Sequence, residues 1–446
     1  MTTTYPLRSL PLPPGSFGLP IIGETINFFR EKDFVQRRQQ RYGQIFKTHL
    51  FGHPTIFMLG AEASRFLFAN EKRYFSDGIA NGVPLPTKVL MGKASLAMQT
   101  GSEHQRQRKL LSQAFQTRAL AGYVSTMEEI TRNYLHKWER MGHFNWYSEL
   151  RKYTLDVACK LLVGTEAAAD SDFGEWYDVW AKGLLSIPVP LPWTKFGRAL
   201  HCRHRLLARI EEIILERQQQ PTTGQDVLGL MLQARDEDGN SLSLQELKEQ
   251  LLTLLFAGHD TLSSALSSLC LMLAQHLEVK EAVRTEQQQL GVEEPLTLEH
   301  FKQMTYLEMV LKEVLRVIPP TSGSPRAVIK PCEFNGYLIP QGWKVYYNPS
   351  ATHQDSRIYI QPKSFDPERF TPHHAEDKQK PMSYIPFGGG VRECVGREFA
   401  KLEMKLFATL SVREYEWELV PGQNLDIVRL PSAQPHDGLK VKFYRR

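Results

Sequence analysis

The chain has 446 residues, 42% hydrophobic and 23% charged, with a net charge of +5 and five cysteines. That length suffices for a large buried core, the mild and dispersed positive charge argues against nucleic acid, and five scattered cysteines without a CxxC pair exclude a disulfide framework or zinc ribbon. No apolar run nears the roughly 18 residues of a membrane span, and "MTTTYPLRSLPLPPGS" lacks the parts of a signal peptide, so the sequence predicts a cytoplasmic protein with no transmembrane anchor.

Near the start, "PLPPGSFGLPIIGE" carries prolines and glycines that forbid helix and imply a rigid segment hugging the surface. Residues 44–60 read as two strands joined at Gly52-His53-Pro54. From about 103 to 290 the pattern is helical, with "SIPVPLPWTKFG" (186–197) as the main interruption. Ser243 and Glu246 form a capping box that opens an unusually long helix, predicted to cross the whole molecule. In its middle, Ala257-Gly258-His259-Asp260-Thr261 sets a glycine, a charge and a hydroxyl in an oily stretch. A second capping box, Thr305 with Glu308, opens a helix that stops at Pro319-Pro320. Strands follow over 326–347 around an Asn335-Gly336 turn, then a proline-punctuated segment to 393, a helix after Cys394 and short C-terminal strands. The fold is mainly α with a minor β region, and the lack of repeated βαβ units excludes a doubly wound sheet.

Cys159 and Cys270 sit in apolar helical stretches and read as core residues. Cys394, in "FGGGVRECVG", does not. Glycines before it let the backbone take positive φ and approach a bulky, flat group. Backbone N–H groups and Arg392 favour a thiolate there, as nucleophile or as metal ligand. A nucleophile needs a histidine base and an oxyanion hole, and nothing local supplies either. The ligand reading gains from other places. Glu313 and Arg316 lie three apart on one helix, and Arg369 in "FDPERF" stands ready to join them in a network that locks the loop before the cysteine. His104 and Arg108 share a helix face and, with Arg326 and Arg392, suit two carboxylates on a large planar ligand.

Together these motifs resemble the cytochrome P450 family of haem-thiolate monooxygenases over essentially the whole chain. The cysteine loop F-x-x-G-x-R-x-C-x-G is complete as Phe387, Gly390, Arg392, Cys394 and Gly396. The oxygen-binding notch A-G-x-D-T stands as Ala257, Gly258, Asp260 and Thr261, beside E-x-x-R (Glu313, Arg316) and P-E-R-F (Pro367–Phe370). The loop is highly specific, the notch moderately so, and E-x-x-R is nearly worthless alone. The resemblance implies one domain over 1–446, with a β-rich part at about 20–60, 326–350 and 411–446. It implies haem b (iron protoporphyrin IX) between the long helix and the cysteine loop, with Cys394 as the axial thiolate favouring O–O cleavage. Phe387, Ala257, Gly258 and Gly396 would then lie at the cofactor, and His104, Arg108, Arg326 and Arg392 would hold its propionates. Many members carry Trp where His104 stands. Asp260 and Thr261 would be the catalytic pair relaying protons toward dioxygen, with Gly258 permitting a local helix distortion.

The leading segment, the 186–197 loop and "FAGHDT" further resemble animal retinoic-acid hydroxylases, plant hormone hydroxylases and cyanobacterial enzymes acting on retinoids. That branch implies hydroxylation of a hydrophobic isoprenoid or apocarotenoid acid such as retinoic acid, with fatty acids and steroids or terpenoids as alternatives. A haem-thiolate isomerase or peroxygenase typically loses the acid–alcohol pair, which is intact here, and a haem-based sensor does not need it. By position, residues 321–325, the 186–193 loop and the 432–436 turn would border the substrate, with Lys195 and Arg198 either at its carboxylate or simply solvated. Electrons must come from a separate ferredoxin or flavodoxin, for which Arg397, Lys401 and Lys405 offer a basic stripe or a merely solvated face. His201-Cys202-Arg203-His204 reads as surface, and Trp176, Tyr177 and Trp180 as packing.

Overall fold

The structure is a computed structural model that describes residues 9–20, 22–76, 78–80, 82–166, 168–220, 224–291 and 295–446. Its axis is the helix Leu244–Gln275, 32 residues long, which at the usual rise spans about 48 Å. The capping box closes in both directions: Glu246 N–H donates to Ser243 Oγ at 3.3 Å and Ser243 N–H to Glu246 Oε2 at 2.7 Å. Residues 262–273 of this helix are buried all round, serines included. Ser263 and Ser268 return their hydroxyls to the carbonyls of His259 and Ser264, each at 2.8 Å. Small hydroxyl residues so satisfied let neighbouring helices approach closely at no cost in lost hydrogen bonds.

Helices Trp146–Ala158, Lys195–Gln218, Thr305–Val317 and Arg397–Glu414 all pack on this axis. Their inner faces merge into one large apolar core that includes Trp138, Trp146, Trp180, Leu266 and Phe407. Tyr177 and Trp180 are fully buried in it, as packing residues would be, and Cys159 and Cys270 are buried there too. Cys202 corrects the surface reading of 201–204: it is buried, and Arg203 beside it donates to Glu249 Oε1 at 2.6 Å.

A four-stranded sheet lies to one side, in the order Ile45–Leu50, His53–Met58, Lys344–Tyr346, Pro325–Ala327. The leading segment runs over it, with Lys47 N–H donating to Pro14 O at 2.8 Å, and over a separate two-stranded sheet, with Leu338 N–H donating to Pro11 O at 2.9 Å. The first hairpin turns one residue earlier than predicted, at Phe51-Gly52, both with positive φ. His53 and Pro54 belong to the second strand, because a tight two-residue turn with both φ positive matches the twist of the strands. Asn335-Gly336 makes the same kind of turn between Cys332–Phe334 and Tyr337–Ile339. His143–Asn145, a strand the helical periodicity hid, pairs with the C-terminal strand Lys440–Arg445.

The Thr305 box does not form. Thr305 is already helical, and Glu308 binds Lys401 and Lys405 at 3.0 and 2.9 Å instead. Glu286, from another helix, caps the exposed N–H groups of Tyr306 and Leu307 at 2.5 and 3.0 Å. A carboxylate at a helix N-terminus is favourable wherever it comes from.

Candidate active site

The loop before Cys394 is held by charge. Arg316 meets Glu313 through Nε at 2.6 Å and Nη2 at 2.8 Å, and Arg369 Nε reaches the same carboxylate at 3.0 Å. Arg369 Nη1 continues to Glu376 at 2.6 Å. None of these four side chains is more than 6% exposed. The arginines also donate to the carbonyls of His353, Pro362 and Ile360, at 2.7 to 2.9 Å. A segment without helix or sheet has backbone acceptors to satisfy, and two fixed forks of donors satisfy them. Sequence spacing gave three members of this network; Glu376 lies in a polar run without a motif.

Beyond it, Gly388 and Gly390 take φ of +73° and +67°. A Cβ on Gly390 would lie 2.2 Å from the Glu71 carboxylate, so glycine is needed for space as well as conformation. Glu71 accepts Val391 N–H at 2.8 Å with one oxygen and Arg326 Nε at 2.7 Å with the other. The two side chains are 1% and 2% exposed. Nothing in the sequence marks Glu71, because its partners lie about 255 and 320 positions away. Arg326 is thereby charge-paired within the protein, not free at the cavity. Arg108 donates to Glu393 O at 2.6 Å, and Arg392 to the carbonyls of Leu96 and Gln99. Of the four expected propionate residues only Arg392 lines the cavity; His104 is buried one helical turn before Arg108.

Cys394 N–H donates to Phe387 O at 3.0 Å, closing the loop. Its side chain opens on a cavity of about 1040 Å³ empty volume, so it counts as exposed although protein surrounds it on every other side. That burial pushes the thiol up, while the Gly396 N–H and the Arg108 guanidinium pull it back down. Phe387 and Gly396 line the same cavity. Facing them across it are Ala257, Gly258 and Thr261 of the long helix, with Leu162, Leu254 and Ala265 completing an apolar wall. A thiol on one face, apolar walls and a guanidinium at the border fit a haem.

Thr261 Oγ1 donates to Ala257 O at 2.7 Å. The helix stays α through this point, contrary to the expected distortion. The irregular turn belongs to the neighbouring segment Cys159–Val163, which is π-helical and brings Leu162 to 3.3 Å from where a Cβ on Gly258 would stand. Gly258 therefore supplies room for the neighbour. Asp260 points away from the cavity, its carboxylate on Arg151 at 2.5 Å, and Arg151 reaches half-exposed Asp178 at 2.9 Å. Burial pushes Asp260 up and Arg151 opposes it. His259 is no free base: it is buried, burial pushes it well down, and its Nδ1 meets Thr154 Oγ1 at 2.8 Å.

Thr321 lines the cavity, whereas the 186–193 loop, Lys195 and Arg198 do not, the two basic residues being exposed on a surface helix. The basic stripe is largely neutralised, Lys401 and Lys405 by Glu308 and Arg397 by Glu393 and Glu398. Among the described residues no single helix is long and apolar enough to cross a membrane.

The family model for Cytochrome P450 matches residues 13–443. The chain is 48% identical to cytochrome P450 120 of Synechocystis sp. over 444 residues, covering 100% of this chain and 99% of the relative. It is 35% identical to cytochrome P450 26A1 of Gallus gallus, covering 98% and 91% of the two chains. The retinoic acid-bound structure of cyanobacterial CYP120A1 superposes with a TM-score of 0.93, at 48% identity and covering 98% of this chain and 100% of that one.

Proposed function

The chain belongs to the cytochrome P450 family and is a monooxygenase, and from that premise we propose that it hydroxylates an apolar isoprenoid or apocarotenoid acid of the retinoic acid class. The observation that carries this reading is the apolar cavity between Cys394 and the Ala257–Thr261 turn, taken with the 48% identity to a protein whose structure holds retinoic acid. One oxygen atom enters the substrate and the other leaves as water, with two electrons and two protons consumed.

In this reading the Cys394 thiolate would hold haem b, which would supply the oxygen chemistry. Phe387 packs by the sulfur, the Gly396 N–H partners it, and Arg108 lends it positive field. Arg392, which lines the cavity, would take a propionate, with His104 and Arg108 behind it and off the cavity wall. Arg326 contributes at one remove, by fixing Glu71 against the Val391 amide. Leu162, Leu254 and Ala265 exclude water from the reacting carbon and hold it by apolar contact. Asp260 and Thr261 are the proton-relay pair in this reading: Asp260, turned from the cavity onto Arg151 and through it toward half-exposed Asp178, reaches Thr261 only by leaving that ion pair. Five free cysteines suit a reducing cytoplasm, and a small ferredoxin or flavodoxin delivers electrons on the Cys394 side.

The test is titration of the haem-loaded protein with retinoic acid, a fatty acid and a sterol, reading the haem absorption shift and then identifying the product. Retinoic acid gives the tightest binding and a product heavier by one oxygen atom. A shift with sterol or fatty acid but none with retinoids overturns the substrate class.

A further inference from the structure

A second cavity, of about 870 Å³ empty volume, adjoins the first, and Thr321 lines both. Phe28, Phe29, Phe34 and Val35 from the N-terminal helices give it an apolar side, among charged and polar residues such as Glu31, Lys32 and Asn348. Opposite them stands Arg429, between the short strand Ile427–Val428 and Pro431. Its guanidinium has no hydrogen bond or ion pair to any described residue. Of the other charges lining the cavity, Glu31 accepts from Arg38 at 2.9 Å and Lys32 donates to Asp426 at 2.6 Å, while Arg30 is exposed and has no ion pair among the described residues. Exposed Asp33 attracts Arg429 from a distance, while burial lowers the guanidinium's proton affinity. Ser350 on the same wall, 3% exposed, leaves its hydroxyl without a partner.

An arginine drawn largely out of water with no acid in contact costs stability. Its planar fork matches a carboxylate in two-point geometry, and such a bond is strong where water is scarce. We propose that Arg429 binds the carboxylate of a long apolar acid whose hydrocarbon passes Thr321 into the Cys394 cavity. The site admits long monocarboxylic acids and selects them over alcohols or esters of equal length. This deepens the proposed function and rests on it for the position of the reacting end.

The experiment measures dissociation constants from the haem absorption shift of the full-length, haem-loaded protein, for two matched pairs: retinoic acid and retinol, hexadecanoic acid and hexadecanol. Arg429→Met weakens acid binding on the order of tenfold or more and leaves the alcohols within about twofold, and Arg429→Lys recovers part of the loss. Haem content and the carbon monoxide spectrum of each variant verify that it folds. Equal loss for acid and alcohol, unchanged acid binding in Arg429→Met, or no acid preference in the unmodified protein overturns the proposal. If only the sixteen-carbon acid binds, and binds through Arg429, the arginine's role stands and the retinoid reading falls.

Discussion

On the cysteine side of the cavity, Glu313, Arg316, Arg369 and Glu376 form a buried ionic chain, and Glu71 ties Arg326 to the loop backbone. The facing wall is one α-helix that presents Ala257, Gly258 and Thr261 inward and turns its charge, Asp260, outward to Arg151. The difference follows from what each backbone needs. A helix satisfies its own amides and carbonyls, so the Asp260 carboxylate is left to pair with a side chain, Arg151, and not with backbone. The loop does not, and charged side chains fix its shape by binding its carbonyls and amides. Rigidity on the Cys394 side is thus ionic, whereas the helical wall is apolar with a single outward charge.

Breaking the ionic side has the largest expected effect. Arg369→Ala leaves buried Glu376 without its cation and Glu313 with Arg316 alone, and costs about 3–5 kcal/mol, enough to prevent recovery of haem-loaded protein. Denaturant unfolding and haem content read this directly. On the helical side, Asp260→Asn lowers substrate oxidation on the order of 10²-fold while haem content and retinoid binding hold. Product formed per electron consumed falls with it.

Acid separates the two walls further. His353 lies against the ionic network, where burial and Arg316 push it down to about 3, and His259 lies behind the helical wall, also well down. Both are neutral in the folded protein, so the unfolded chain binds protons first as pH falls through about 6.5. Each then removes about 1.4 kcal/mol of stability per pH unit below that point, His353 down to about pH 3. Denaturation at pH 7, 6 and 5 measures the slope, and His353→Gln, which keeps an acceptor for Ile385 N–H, reduces it by one proton. The smallest effect belongs to the partly exposed Lys401: Lys401→Ala shifts stability by less than about 1 kcal/mol in the same assay.

Local chemistry in the sequence located most of the fold. The Ser243 box, the Asn335-Gly336 turn and the long apolar period each act within a few residues, so each was legible. The Thr305 box misled because Glu308 found stronger partners in Lys401 and Lys405, about 90 residues on. In the site, Cys394 and Glu313–Arg316 carried their own spacing, and Arg369 came with its P-E-R-F element. Glu71, Glu376, Arg151 and Arg429 did not, since each acquires its role from chain segments that only folding brings near. The π turn at Cys159–Val163 was equally hidden, because apolar periodicity does not distinguish it from the helix it extends.

The central claim is that sulfur from Cys394 ligates the haem iron, and the carbon monoxide spectrum of the reduced protein tests it most directly. The unmodified protein should give the band of thiolate-ligated haem, and Cys394→Ser should lose that band and turnover together. A Cys394→Ser protein that keeps either one would contradict the account.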